Sequence, residues 1–196
     1  MITLVCGLGR CGTSLTMKML KRGGMPLFAD KAGSHEHSRM TTLPKENYWV
    51  AYADNHALKV NDPHIYTPPT GLDYCAIWLT RDPNQQAKSM MKLNTALGKK
   101  ETGLRSSYRK KVRWIKRSEP KCYSLLNRLS KRKFIHYTFE NIIANPLDYA
   151  EAIVNLVQLP MDIQVMADCV EQRDTASLEI PLEVTEQYRN NLVRHT

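Results

Sequence analysis

The first twenty residues constrain this chain more than any other stretch. Ile2-Thr3-Leu4-Val5-Cys6 is an apolar, partly β-branched run, Gly7, Gly9 and Gly12 punctuate a turn, and apolar residues return at helical spacing from Leu15 to Leu20. The pattern predicts strand, loop, helix. Glycines let the backbone turn tightly and approach a ligand closely. The following helix aims unpaired N–H groups and the positive end of its dipole at that ligand. The expected guest is an anion, most simply a phosphate. A βα turn that uses glycine for geometry alone is the plainer alternative.

Gly7, Gly12 and Ser14 fit the phosphate-loop pattern G-x-x-x-x-G-K-[ST], but Thr13 stands where the lysine belongs. That lysine reaches the β- and γ-phosphates in phosphoryl transfer. Here a cation sits inside the loop instead, at Arg10. Arg10-Cys11-Gly12-Thr13-Ser14 thus offers a guanidinium fork, two hydroxyls and free N–H groups to one anion.

The loop resembles the 5′-phosphosulfate-binding loop of sulfotransferases, G-x-x-R-S-G-T-[ST]-L. Gly7, Arg10, Gly12, Thr13, Ser14 and Leu15 match it, and Cys11 replaces its serine. The longer run Gly12–Leu27 looks especially like bacterial members of that family. The resemblance implies that Gly9, Arg10, Cys11, Gly12, Thr13 and Ser14 bind the 5′-phosphate of 3′-phosphoadenosine 5′-phosphosulfate (PAPS), with no lysine needed after the second glycine. It implies no metal.

The remaining chain organises around this start. A length of 196 residues, 42% hydrophobic and 24% charged, suits a single domain spanning 1–196 with a substantial core. No apolar run approaches a membrane span, and the first strand begins at once, leaving no room for a signal peptide. Five cysteines (Cys6, Cys11, Cys75, Cys122, Cys169) without a C-x-x-C pair disfavour a disulfide framework or a zinc site. A reducing, cytoplasmic setting is the expectation.

Strands are expected at 2–7, 25–28, 57–61, 74–80 and 134–139. Helices are expected at 13–22, 45–55, 84–97, 105–117, 121–132, 146–159 and 162–172, with a polar loop at 30–44. The alternation indicates an α/β fold: a phosphate-loop-type three-layer domain whose parallel sheet of about five strands is flanked by helices. Ligands in such sheets bind beyond the carboxyl ends of the strands. Residues just after each strand are therefore the informative ones.

The strand at 74–80 delivers Arg81, with Ser89 eight residues later. A guanidinium and a hydroxyl make a second phosphate clamp. The same spacing resembles the sulfotransferase motif for the donor's 3′-phosphate, so the resemblance assigns Arg81 and Ser89 to it. Lys59 ends another strand, in Lys59-Val60-Asn61-Asp62-Pro63. Several family members carry lysine-x-histidine-x-proline there, the lysine contacting the bridging oxygen and the histidine acting as base. Lys59 keeps the first role, but Asn61 cannot take a proton. Some relatives with this form of the loop place a glutamate after the second strand. The nearest carboxylate there is Asp30, which the resemblance makes the first choice of base, with Glu36 next and His35, His37 and His64 behind them. His35-Glu36-His37 lacks a third ligand at convincing spacing for a metal.

The net charge of +9 is uneven. Between Lys99 and Lys133 fourteen Lys/Arg stand against two Glu, a local balance of +12. Arg105, Arg109, Lys110, Lys111, Arg113, Lys116 and Arg117 suit an anionic acceptor such as a glycan, an acidic peptide or another polyanion. Tyr108, Val112, Ile115, Leu125, Leu126 and Leu129 read as the buried stripe of the same helices. Ile135–Pro146 also resembles a structural stretch of the family, so the likeness covers roughly 2–160. It implies a sulfuryl transfer from PAPS to a hydroxyl or amine, leaving adenosine 3′,5′-bisphosphate (PAP). The alternatives are a nucleotide kinase of the same fold, with Asp82 to help hold magnesium, and a non-catalytic polyanion-binding module.

Overall fold

Strand β1 (Ile2–Gly7) is buried along its whole length and lies between two partners. A computed structural model describes residues 1–170 apart from 32, 44, 99–102 and 132. Among the described residues the sheet has four strands, ordered β2 (Ala57–Asn61), β1, β3 (Tyr74–Thr80) and β4 (Phe134–Thr138), all parallel. The chain leaves β1 for β2 on one side and then crosses to β3 on the other. That reversal opens a crevice at the carboxyl edge, the usual ligand position in such sheets. The register sets its geometry: Gly7 pairs with Asn61 on one flank and Leu79 on the other, so the residues following the three strands emerge together.

Two cores sandwich the sheet because successive side chains point to opposite faces. Leu4, Cys6, Leu58, Val60, Ala76 and Trp78 face one core. It is covered by α2 (Pro83–Ala96), by α3 (Leu104–Leu129), and by the 3₁₀ helix at Tyr48–Ala53. Val5, Ala57, Cys75, Ile77 and Leu79 face the other. There α1 (Thr13–Arg22), α4 (Phe139–Ala144), α5 (Pro146–Val157) and α6 (Ile163–Ala167) supply Met17, Leu20, Ile142, Tyr149, Ile153 and Met166. The result is the three-layer α/β arrangement expected.

The differences from expectation have local causes. The fifth strand at 25–28 reduces to one parallel bridge, Leu27 to Ala57. Pro26 has no N–H to extend the ladder, and only its carbonyl is used, by Ala57 N at 2.9 Å. The helices expected at 105–117 and 121–132 are one helix, α3, running through Pro120. Pro120 is exposed, so water can satisfy the carbonyl its ring deprives of a donor. The helix expected at 45–55 is a shorter 3₁₀ turn, and 171–172 lie outside the described residues. Helix α4 was not anticipated; Thr138 caps it by accepting from Asn141 N at 3.1 Å. No helix among the described residues is long and apolar enough to cross a membrane.

Candidate functional site

The glycine loop between β1 and α1 is held from below against the sheet and α2. A Cβ on Gly7 would overlap Cys11 Sγ and meet the Leu79 carbonyl at 2.9 Å, so only glycine lets the loop fold back on its strand. Gly12, at φ 104°, faces the Phe139 ring, which a Cβ would meet at 2.8 Å. Gln86 of α2, 1% exposed, donates through Nε2 to the carbonyls of Leu8 and Gly9, at 2.9 Å each. Those carbonyls are thereby turned inward. Gly9 N donates to Asp62 Oδ1 at 3.4 Å, a carboxyl whose pKa burial raises. Helix α1 begins with no acidic residue in its first turn and no side-chain cap, an electropositive start open to an anion.

Cys11 faces inward, fully buried, and desolvation pushes its thiol up to about 12. It offers a ligand its backbone, not its sulfur. Arg10 is held at φ 73°, a left-handed conformation that favours glycine and costs other residues about 1–3 kcal/mol. In that conformation its Nε donates to Ser89 Oγ at 3.1 Å. Its carbonyl accepts from Arg81 Nη1 at 3.4 Å. Arg81 also lies 4.5 Å over the Phe139 ring and pairs with Glu140 Oε1 at 3.8 Å. Arg10, Arg81 and Ser89, expected from two separate stretches, thus share one corner of the cleft.

A second cluster meets the loop from the β2 side. Lys59, 3% exposed, donates to Ser14 Oγ at 2.9 Å and to the Ser34 carbonyl at 2.8 Å, and pairs with Glu36 Oε1 at 3.0 Å. Burial lowers its pKa, an effect partly opposed by Glu36. Asn61 donates to the same Glu36 oxygen at 2.8 Å and accepts from Thr13 Oγ1 at 3.2 Å. A ring of contacts therefore runs Thr13, Asn61, Glu36, Lys59, Ser14. The turn at 33–37 sits directly over the loop through Ser34 and Glu36. Its far end is anchored by His37, whose ring stacks on those of Phe28 (4.8 Å) and Trp49 (4.7 Å).

The two candidate bases differ in placement. Glu36 belongs to the ring, whereas Asp30 is exposed and accepts from Ser38 N at 2.7 Å and from Ser38 Oγ. Those Ser38 bonds hold its carboxyl below the usual range. Asp30 serves the 3₁₀ turn at Ser38–Thr42. His64 lies against Cys122 Sγ at 3.1 Å, and His37 stacks on Phe28 and Trp49 while its Nδ1 accepts from Arg39 N at 3.2 Å. Asp82 caps α2 by accepting from Asn84 N and Gln85 N. Among the described residues no group of three or more His, Cys, Asp or Glu could hold a metal ion.

Sequence reasoning missed Gln86 and the bond from Arg10 to Ser89. Gln86 sits five residues after Arg81 on the inner face of α2, and a glutamine at a buried helical position was the one available signal.

No family model and no curated protein sequence matches the chain. Among solved structures, the fold is similar to that of retinol dehydratase in complex with androsterone and the inactive cofactor PAP. The TM-score is 0.57 at 13% identity, over 98% of this chain and 80% of that one. The likeness is one of fold.

Proposed function

We propose that the chain is a sulfotransferase that moves a sulfuryl group from PAPS to a hydroxyl or amine. The observation that carries this reading is the joining of two anion cradles by Arg10, through Nε to Ser89 and through its carbonyl to Arg81. One cradle follows β1 and the other follows β3. A ligand with a phosphate at each end of an adenosine suits that pairing. The retinol dehydratase structure of similar fold contains PAP, which supports the same ligand class here.

The donor set fits the group. Arg10, Lys59, Arg81, Thr13 and Ser14 all present donors, and Ser34 Oγ is buried beside Lys59 with no partner among the described residues. In this reading residues 10–14 hold the 5′-phosphate through backbone N–H groups and hydroxyls, and Gly9, whose N–H goes to Asp62, shapes the turn beside it. Arg81 and Ser89 hold the 3′-phosphate. PAPS supplies an activated sulfuryl group.

The chain's own residues then do two things. Lys59 and Arg10 stabilise negative charge developing on the bridging oxygen as its bond to sulfur breaks. Glu36 takes the proton from the acceptor hydroxyl as the new S–O bond forms. Its Oε1 is held by Lys59 and Asn61, which leaves Oε2 to receive that proton.

Incubation with sulfur-labelled PAPS and a panel of glycans, peptides, lipids and small alcohols tests the reading. Label transferred by the native chain and lost in Lys59→Ala supports it. Tight binding of ATP with magnesium, without preference for a 3′-phosphate, would replace it with a kinase.

A further inference from the structure

Helix α3 carries Arg105, Arg109, Arg113 and Arg117 at a strict four-residue spacing, all exposed. Four residues advance a helix by about 6 Å, so the guanidinium groups form a ridge about 18 Å long. Lys110 and Lys116 flank it. Among the described residues no carboxylate pairs with any of these six cations. Glu119 is the one acid of α3, and it is half-buried. Like charges four residues apart destabilise a helix. A sequence that repeats the fault three times along one face keeps it for a partner that neutralises it.

The ridge borders two open grooves that share Arg109 and Arg113, of about 590 Å³ and 390 Å³. The larger is closed on its far side by Asn84, which accepts from Tyr108 OH at 2.8 Å. Asn84 lies in the first turn of α2, three residues after Arg81. The ridge therefore begins beside the carboxyl-edge cleft.

We infer that the arginine ridge of α3 binds a linear acidic polysaccharide, laid along the helix with its sulfate or carboxylate groups on successive arginines, as the acceptor of the reaction. Charge spacing selects an extended polyanion, and guanidinium forks suit sulfate and carboxylate oxygens. The ridge lacks what other polyanions would use. Tyr108 is half-buried in the wall of the larger groove with its hydroxyl tied to Asn84, and Trp114 is half-buried against His64, so the ridge carries no exposed aromatic side chain for bases to stack on. Among the described residues the exposed large apolar side chains are Tyr48, Tyr52, Ile65, Tyr123, Leu147 and Leu159, none of them on the ridge to enter a bilayer. The choice of polysaccharide rests on the sulfuryl-transfer reading, because such a chain carries hydroxyl acceptors beside its charges.

Binding of the full chain to heparin, to single-stranded oligothymidylate of matched charge and to phosphatidylserine–phosphatidylcholine vesicles tests this, each across a salt series. The expected result is tightest binding to heparin. In Arg109→Ala/Arg113→Ala the slope of log affinity against log salt should fall by about two, one per lost anion contact. Affinity near physiological salt should fall on the order of tenfold. Lys21→Ala/Arg22→Ala, which removes equal charge from the end of α1, should match the native chain. Equal or tighter binding to oligothymidylate or vesicles, or equal losses in both double variants, would overturn the inference. Calorimetry with PAP on the same samples reports the donor site alone, so failure at the ridge is distinguishable from failure of the sulfuryl-transfer reading.

Discussion

Arg10 Nε donates to Ser89 Oγ at 3.1 Å, tying the glycine loop after β1 to the middle of α2 across 79 positions of sequence. The two groups touch different ends of the proposed ligand, so each orients the other. Their effects on PAP affinity should therefore be non-additive. A double-mutant cycle of Arg10→Ala and Ser89→Ala, read by calorimetry, is expected to show a coupling of about 1 kcal/mol. Strict additivity would mean that the contact is incidental.

Arg10 also holds a strained backbone, at φ 73°. Arg10→Gly relieves that strain and should raise unfolding stability by about 1 kcal/mol. The same change removes the guanidinium and should weaken PAP binding at least tenfold. Thermal denaturation and calorimetry on one variant read both effects, in opposite directions.

Gln86 is a positioning residue with no expected contact to ligand. Gln86→Leu keeps its bulk but strands the carbonyls of Leu8 and Gly9, which it now satisfies. The expected cost is about 1–3 kcal/mol of stability. PAP affinity should fall as well, while Gln86→Glu, which can still accept but not donate unless protonated, should recover affinity toward acid pH. A merely packing role would not give that pH dependence.

Lys59 sets a pH dependence whose sign follows from burial. Its folded pKa lies below the ordinary 10.5, desolvation being the main cause. Between the folded and unfolded values the unfolded chain binds more protons, so this group makes stability rise with pH across that window. Transfer instead needs the protonated amine, so turnover should fall with pH, beginning below the range of an ordinary lysine. Lys59→Arg should remove that alkaline limb from the pH–rate profile, since arginine does not deprotonate there.

The two carboxylates give the cleanest split. Glu36→Gln should lower kcat by about 10²–10⁴ while leaving PAP affinity near native. Asp30→Asn should leave turnover within about twofold, because Asp30 holds Ser38 and stands outside the ring. Radiolabel transfer under saturating donor checks both.

Strands and anchors were legible in the sequence where one local pattern decided them. β1, α1, β2 and β3 fall where apolar runs and glycines put them, because buried parallel strands are continuous apolar runs. The single helix α3 was misread as two because proline in a helix interior is usually a break, and here solvent exposure lets it pass. The bridge at Leu27 was overread as a strand because nothing local counts hydrogen-bond partners. Arg10, Arg81 and Ser89 were legible as candidates by their distance from strand ends, whereas Lys59, expected to end its strand, lies inside β2, which runs on to Asn61. Their mutual contacts were not, since they depend on how α2 and the 33–37 turn pack against the loop. The same packing separates Glu36 from Asp30, six positions apart and alike in sequence.

Calorimetry of PAP against adenosine 5′-monophosphate tests the central claim most directly, because the two ligands differ by the 3′-phosphate alone. PAP should bind in the micromolar range or tighter and exceed the monophosphate at least tenfold, with Arg81→Ala abolishing the preference and sparing monophosphate affinity. Equal affinity for the two ligands, or a preference that survives in Arg81→Ala, would contradict it.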